Sequence, residues 1–225
     1  MSGDSSGEIF GIYGAAGHGR DIMPVARESL RARDISADRL VFIDDAPNMP
    51  ETINGQRVMT FEAFTAIPAD RRYVAISISD GAIRARLADK LDAAAIAPLT
   101  VIAQNTIMMD EVTLGPGALL SPFVTLTSNI RIGRFFHANL YSYVAHDCVI
   151  GDFVTFGPGA KCNGNVVIED FAYIGSGAVI KQGRLEAPTV IGRGAVVGMG
   201  AVVTKSVAPG VTVVGNPARP MPGGG

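Results

Sequence analysis

The stretch VIGDFVTFGPGAKCNGNVVIEDFAYIGSGAVI, residues 149 to 180, places an apolar residue at every sixth position: Ile150, Phe156, Cys162, Ile168, Ile174 and Ile180. Traced backwards, the same step meets Val144, Ala138, Ile132, Leu126, Leu120 and Leu114. Two residues ahead of each lies a second series, Val112, Ala118, Val124, Ile130, Phe136, Ser142, Cys148, Val154, Ala160, Val166, Ala172 and Ala178, mostly small or β-branched. The pattern breaks over residues 181–190 and resumes at Ile191, Val197 and Val203. Helices repeat near 3.6 residues and ordinary strands at two, so a step of six points to a parallel β-helix. Three hexads make one triangular coil of about eighteen residues, and each coil stacks its strands on the next. The aliphatic position then faces inward and the small one fills the corner. Glycines following the aliphatic residue, such as Gly115, Gly133, Gly151 and Gly175, are expected where the chain turns.

The first hundred residues follow a different pattern. A short apolar run, Ile9 to Tyr13, precedes the glycine turn GAAGHG, residues 14–19. A helical pattern begins near Arg20, with Ile22, Val25, Ala26 and Leu30 on one face. A second strand, LVFIDD, ends in Asp44 and Asp45; a third, YVAISIS, precedes a helix in which Ile83, Leu87 and Leu91 recur every four residues. Strand, helix, strand in this order predicts parallel pairing with right-handed crossovers. The expected organisation is a disordered tail over 1–8, a small Rossmann-like α/β domain over 9–104 and a β-helix over 105–221.

Composition narrows the class. The 225 residues are 48% hydrophobic and 18% charged, with a net charge of −2, which gives no electrostatic case for nucleic acid or an anionic membrane. The start, MSGDSSGE, lacks the basic and apolar regions of a secretion signal, and no apolar stretch is long enough to span a bilayer. A soluble cytoplasmic protein is expected. Two cysteines, Cys148 and Cys162, are too few for a disulfide framework and read as small core residues.

His146 and Asp147 interrupt the otherwise apolar run YSYVAHDCVIGDF, residues 141–153. His146 follows the inward Val144 by two places, so it should emerge at a corner. One coil onward is Gly164 and one coil back is Ser128. An imidazole beside a bare backbone amide supplies the two needs of acyl transfer, proton removal and an oxyanion donor. Asp147 is placed to orient the ring. Taken alone, the pair reads first as solvated surface charge; the repeat around it is what favours the functional reading.

Together the hexad run, the segment HDCVIGDFVTFGPGAKCNGNVVI and the ending VVGNPARPM resemble bacterial hexapeptide-repeat acyltransferases of nucleotide-linked amino sugars or sialic acid. The amino-terminal IYGAAGHGR and FIDD resemble that family's nucleotide-sugar-binding domain. The likeness runs strongest to the N-acetyltransferases of nucleotide-linked 4-amino-4,6-dideoxyhexoses, GDP- or UDP-bound, in surface-polysaccharide and glycan synthesis. It implies a left-handed β-helix, acetyl-CoA as co-substrate, no metal, and a homotrimer with coenzyme A in the groove between subunits. It also implies His146 as general base with Asp147 behind it, the Gly164 amide on the thioester carbonyl, and Ser176 and Met199 along the pantetheine arm. Gly14, Gly17, His18 and Gly19 would meet the nucleotide, with Asp44 and Asp45 nearby.

Other readings stay open at this point. GAAGHG does not match the dinucleotide spacing G-x-G-x-x-G and reads also as a tight strand-to-helix turn, with His18 capping it. Asp44 and Asp45 read also as solvated charges. A zinc hydratase of the same fold needs three histidine ligands; the chain has three histidines in all, with His18 in the other domain and His137 half a coil from His146. His137 is therefore expected in surface or interface packing. A scaffolding β-helix and an O-acetyltransferase complete the alternatives.

Overall fold

A computed structural model describes residues 7–221. The expected disordered tail lies outside them except for Gly7 and Glu8, and Glu8 already opens the first strand. The amino-terminal part contains β1 (Glu8–Tyr13), α1 (Gly17–Arg31), β2 (Leu40–Ile43), β3 (Thr52–Ile53), β4 (Gln56–Met59), α2 (Phe61–Ala66), β5 (Arg71–Ile76), α3 (Gly81–Ala93) and β6 (Ala97–Pro98). The sheet order is β3-β4-β2-β1-β5-β6, parallel throughout except between β3 and β4. Strand order reverses between β1 and β5, so the crevice beyond their carboxyl ends is the switch point where open parallel sheets bind ligands.

The helices depart from the sequence reading in one instructive way. Helix α1 starts at Gly17, three residues ahead of the expected Arg20, and buries Ile22, Val25, Ala26 and Leu30 as expected, with Met23 beside them. In α3 the buried face is Arg84, Ala88 and Leu91, while Ile83 is exposed. Leu91 is buried and Leu87 packs beside it, so the apolar pattern failed only at Ile83, because the inner neighbour on that side is a set of backbone carbonyls.

From Val101 onward the chain winds as a parallel β-helix with three faces of eight, six and five strands. Its first strand, Val101–Ile102, pairs with Leu119–Leu120, so the stack begins ahead of the expected 105. Partners across coils stand one turn apart, for example Leu120 with Ala138 and Ala138 with Phe156. The inward series from Leu120 to Val203 is buried throughout, and so is the small series from Ala118 to Ala178. Leu114 and Val112, at the open first coil, are only partly buried.

The turning residues are not the glycines expected. Left-handed backbone falls three places after the inward residue, at Phe135, Tyr141, Asp147, Phe153, Asn165 and Phe171, with φ of 53° to 62°. The glycine directly after the inward residue instead answers to space: a Cβ on Gly115 would lie 2.5 Å from Gly133 backbone in the next coil. Phenylalanine is uncommon in left-handed backbone. Here Phe135, Phe153 and Phe171 stack at 5.4 and 5.3 Å, and the first two enter the core of the α/β part. This aromatic corner is where the two halves meet.

Candidate active site

His146 leaves strand Tyr143–Val144 at the corner between the six-stranded and five-stranded faces, with its side chain 48% exposed. Asp147, the next residue, is the left-handed turn of that corner. Its amide donates to Ser128 O at 3.1 Å in the preceding coil. Its Oδ2 accepts from His146 Nδ1 at 2.7 Å and its Oδ1 from Asn129 Nδ2 at 3.3 Å. A carboxylate only accepts, so Nδ1 carries a proton, and in the neutral form of the ring Nε2 is the nitrogen with the lone pair. The hydrogen bond from His146 holds the Asp147 carboxyl below its ordinary range, with Asn129 adding to the effect.

Gly164 lies one coil onward under the same ring. A Cβ there would stand 2.5 Å from His146 Nε2 and 2.4 Å from Cε1, so any side chain would displace the imidazole. The Asn165 amide donates to His146 O at 3.0 Å and the Gly183 amide to Gly164 O at 3.0 Å, while the Gly164 N–H donates to no backbone or side-chain acceptor among the described residues. The break in the hexad series is a loop inserted at this corner, with Leu185 81% exposed. Behind the corner, Cys148 and Cys162 are buried with their sulfurs 4.0 Å apart. Contact with Cys148 and burial push the Cys162 thiol up, which keeps it protonated. Ser176 and Met199 follow strands of the eight-stranded face and sit on the preceding corner, Met199 81% exposed. Within one chain the structure does not bring them to His146.

The glycine turn forms a second cluster. Helix α1 has Ala16 as its N-cap, without a side-chain hydrogen bond, and no acidic residue in its first turn. Its first N–H groups therefore remain available to an anion. Gly17 is exposed, with open space where a Cβ would be. Gly14 (φ 103°) and Gly19 serve the turn itself, since a Cβ on Gly19 would fall 1.9 Å from Gly14 O. Asp44 braces the same loop: its Oδ2 accepts from the Ala15 amide at 2.9 Å and its Oδ1 from the Ala46 amide at 3.0 Å. Asp45 turns the other way, to Tyr13 OH at 2.5 Å and Lys90 Nζ at 3.0 Å. Neither is merely a solvated charge. Both line a cavity of about 410 Å³ that includes Asn48, Glu51 and Thr60.

The expectations for His18 and His137 need correction. His18 does not cap the turn, and of the surface or interface packing expected for His137 the surface option fails, since it is 1% exposed against the α/β half. The two rings meet with centroids 5.3 Å apart, bringing together histidines that the sequence places in separate domains. Burial, with Arg84 nearby, lowers the basicity of both. Among the described residues no three His, Cys, Asp or Glu side chains are grouped to hold a metal ion.

No protein-family model matches the chain. It is 50% identical over 213 residues to the GDP-perosamine N-acetyltransferase of Escherichia coli O157:H7, covering 95% of this chain and 96% of that one. The solved structure of WeeI from Acinetobacter baumannii AYE is similar at 55% identity and a TM-score of 0.92, covering 95% of this chain and 100% of that one. PerB from Caulobacter crescentus, solved with CoA and GDP-perosamine, shares the fold at 24% identity and a TM-score of 0.80, over 95% of this chain and 97% of that one. The chain is an acyltransferase and belongs to the hexapeptide-repeat nucleotide-sugar acyltransferase family that includes GDP-perosamine N-acetyltransferase.

Proposed function

We propose that this protein transfers the acetyl group of acetyl-CoA to the 4-amino group of a nucleotide-linked 4-amino-4,6-dideoxyhexose, GDP-perosamine being the first candidate. The observation that carries the chemistry is His146 lying directly over bare Gly164, with Nδ1 tied to Asp147. A sugar ammonium must lose a proton before its nitrogen attacks a thioester. The ammonium's proton goes to solvent; His146 Nε2 accepts the next proton from the attacking nitrogen as the tetrahedral intermediate forms, and Asp147 stabilises the resulting imidazolium. The Gly164 N–H takes the developing oxyanion. The carbon–sulfur bond then breaks, and the proton on His146 is available to the departing thiolate. No acyl-enzyme is required, and both cysteines face the core.

The acceptor's nucleotide is read as bound at the switch-point crevice. The uncapped start of α1 at Gly17 and His18 faces its diphosphate, and the cavity beside Asp44 and Asp45 suits the base. His146 lies on one corner of the prism, whereas Ser176 and Met199 lie on another and the crevice adjoins the eight-stranded face. This separation supports a homotrimer in which a groove between left-handed β-helices holds coenzyme A. Exposed Ile107, Met108, Phe123 and Tyr141 near one end of the helix support a partner surface. No helix among the described residues is long and apolar enough to cross a membrane, and a cytoplasmic location fits the two proposed substrates.

The test is thiol release from acetyl-CoA with GDP-perosamine, UDP-linked 4-amino sugars and hydroxyl-only sugars, with and without chelator. Mass spectrometry of the product then locates the acetyl group. Amide formation indifferent to chelator is the expected result. Acetylation of hydroxyl acceptors alone would overturn the amine assignment.

A further inference from the structure

Among the described residues Arg84 is the largest fully buried side chain, 0% exposed. Its Nε donates to Phe135 O at 3.0 Å, and its Nη1 to Ile78 O at 2.7 Å and Ser79 O at 3.1 Å. Its Nη2 donates to Phe153 O at 2.6 Å and Thr155 Oγ1 at 3.0 Å. Ile78 and Ser79 belong to the β5–α3 turn, while Phe135, Phe153 and Thr155 belong to two coils of the β-helix. Among the described residues no carboxylate forms an ion pair with it. Asp80 acts on it only from beyond ion-pair distance, and a buried charge so weakly compensated is costly to desolvate. What the guanidinium adds is direction: its fixed fork of donors accepts only one arrangement of those carbonyls. Gly81 permits the approach, since a Cβ there would lie 2.7 Å from Phe153 O.

The same side chain reaches the acceptor loop. Arg84 Nη1 stands 3.4 Å from His137 Nδ1. The two hydrogens of Nη1 already go to Ile78 O and Ser79 O, so the guanidinium meets this ring by packing against it. His137 in turn packs on His18, at the uncapped start of α1.

We propose that Arg84 is a positioning residue for the acceptor: it locks the β5–α3 turn onto the aromatic corner and, through His137, sets His18 beside the nucleotide-sugar crevice. This rests on the reading of Gly14 to Gly19 as the nucleotide-sugar loop. Arg84 itself touches no substrate, because its donors are already engaged.

Steady-state kinetics on Arg84→Met, Arg84→Lys, His137→Phe and, as a control on the loop, Gly17→Val test it. Arg84→Met is expected to raise the KM for GDP-perosamine by about tenfold or more while the acetyl-CoA KM stays within about twofold. Arg84→Lys should recover much of that loss, since an ammonium can donate to part of the same carbonyl set. His137→Phe should raise the sugar-nucleotide KM by a few-fold. A purely structural arginine gives a lower kcat from fewer folded molecules, with both KM values unchanged, and that pattern overturns the proposal. Should Arg84→Met fail to fold, an unchanged sugar-nucleotide KM in soluble Arg84→Lys and His137→Phe overturns it equally. If Gly17→Val leaves that KM unmoved, the loop reading fails whatever Arg84 does.

Discussion

The corner that holds His146 and the crevice that holds His18 are built by opposite means. At the corner, successive coils supply one residue each, the backbone sets the spacing, and the imidazole stands half in solvent. At the crevice, backbone carbonyls from the β5–α3 turn and two coils converge on a buried guanidinium beside two histidines, and nothing repeats. The first arrangement resists changes of side chain but not of chain length. The second depends on individual side chains and is tied to the docking of two halves.

The sharpest way to break this comparison is His146→Asn. It should lower kcat by about 10²- to 10⁴-fold, the usual scale of removing a general base, with coenzyme A affinity unchanged by titration calorimetry. Near-full turnover, or ping-pong kinetics with an acetylated cysteine, would sink the direct-transfer mechanism. Next comes Gly164→Ala, whose Cβ must push the ring aside; a loss of roughly 10- to 10²-fold in kcat is expected, below that of deleting an oxyanion donor outright. Its melting temperature should stay near the wild-type value, since Gly164 has ordinary backbone and the three atoms nearest its Cβ position all belong to the half-exposed imidazole. At the crevice, Gly17→Val should act on KM, not kcat, raising the value for GDP-perosamine of the order of tenfold, the equivalent of one lost phosphate hydrogen bond.

The smallest effect is expected from Asp147→Asn. The position is exposed and asparagine still offers an acceptor to Nδ1, so less than about a tenfold loss in kcat should result. The Asp147 carboxyl is depressed in the folded protein. Its support of His146 is therefore present above the ordinary carboxylate range and is lost only as pH falls through the lowered value. Asp147 is therefore charged across the working range, and replacing it with Asn removes the anion that supports the imidazolium, so the acid limb of the kcat profile should move to lower pH. An acid limb that stays in place would show that the Asp147 charge gives His146 no support.

Legibility in the sequence follows the same division. Counting by six exposes the core, and counting by one coil leads from His146 to Gly164. The same count leads from Asp147 back to Asn129, a partner the sequence offers to anyone who takes the step. The left-handed positions at Phe135, Phe153 and Phe171 escape a reading based on glycine, because their strain is offset by stacking and by docking. Arg84, His137 and His18 could not be joined in advance. Their meeting depends on how the halves seat against each other, and an apolar pattern in α3 assigns Ile83 to the face that Arg84 occupies. Asp44 and Asp45 sit at the strand end as expected, but only the folded loop separates the one that braces Ala15 from the one that binds Tyr13 and Lys90.

The vertical relation of His146 to Gly164 behaves like a lattice constant. Strands in a sheet stand about 4.8 Å apart whatever their side chains, so the separation of base and amide is inherited from the ladder of backbone hydrogen bonds on either side. Exchanging core residues such as Ile150 or Phe156 for others of similar volume leaves that separation untouched. One residue added or removed between 148 and 163 rotates every later position around the prism, and a different atom arrives beneath the imidazole. A family built this way is free to vary its interior while its register is held fixed, and length changes are tolerated only where a loop leaves the stack, as residues 181–188 do here.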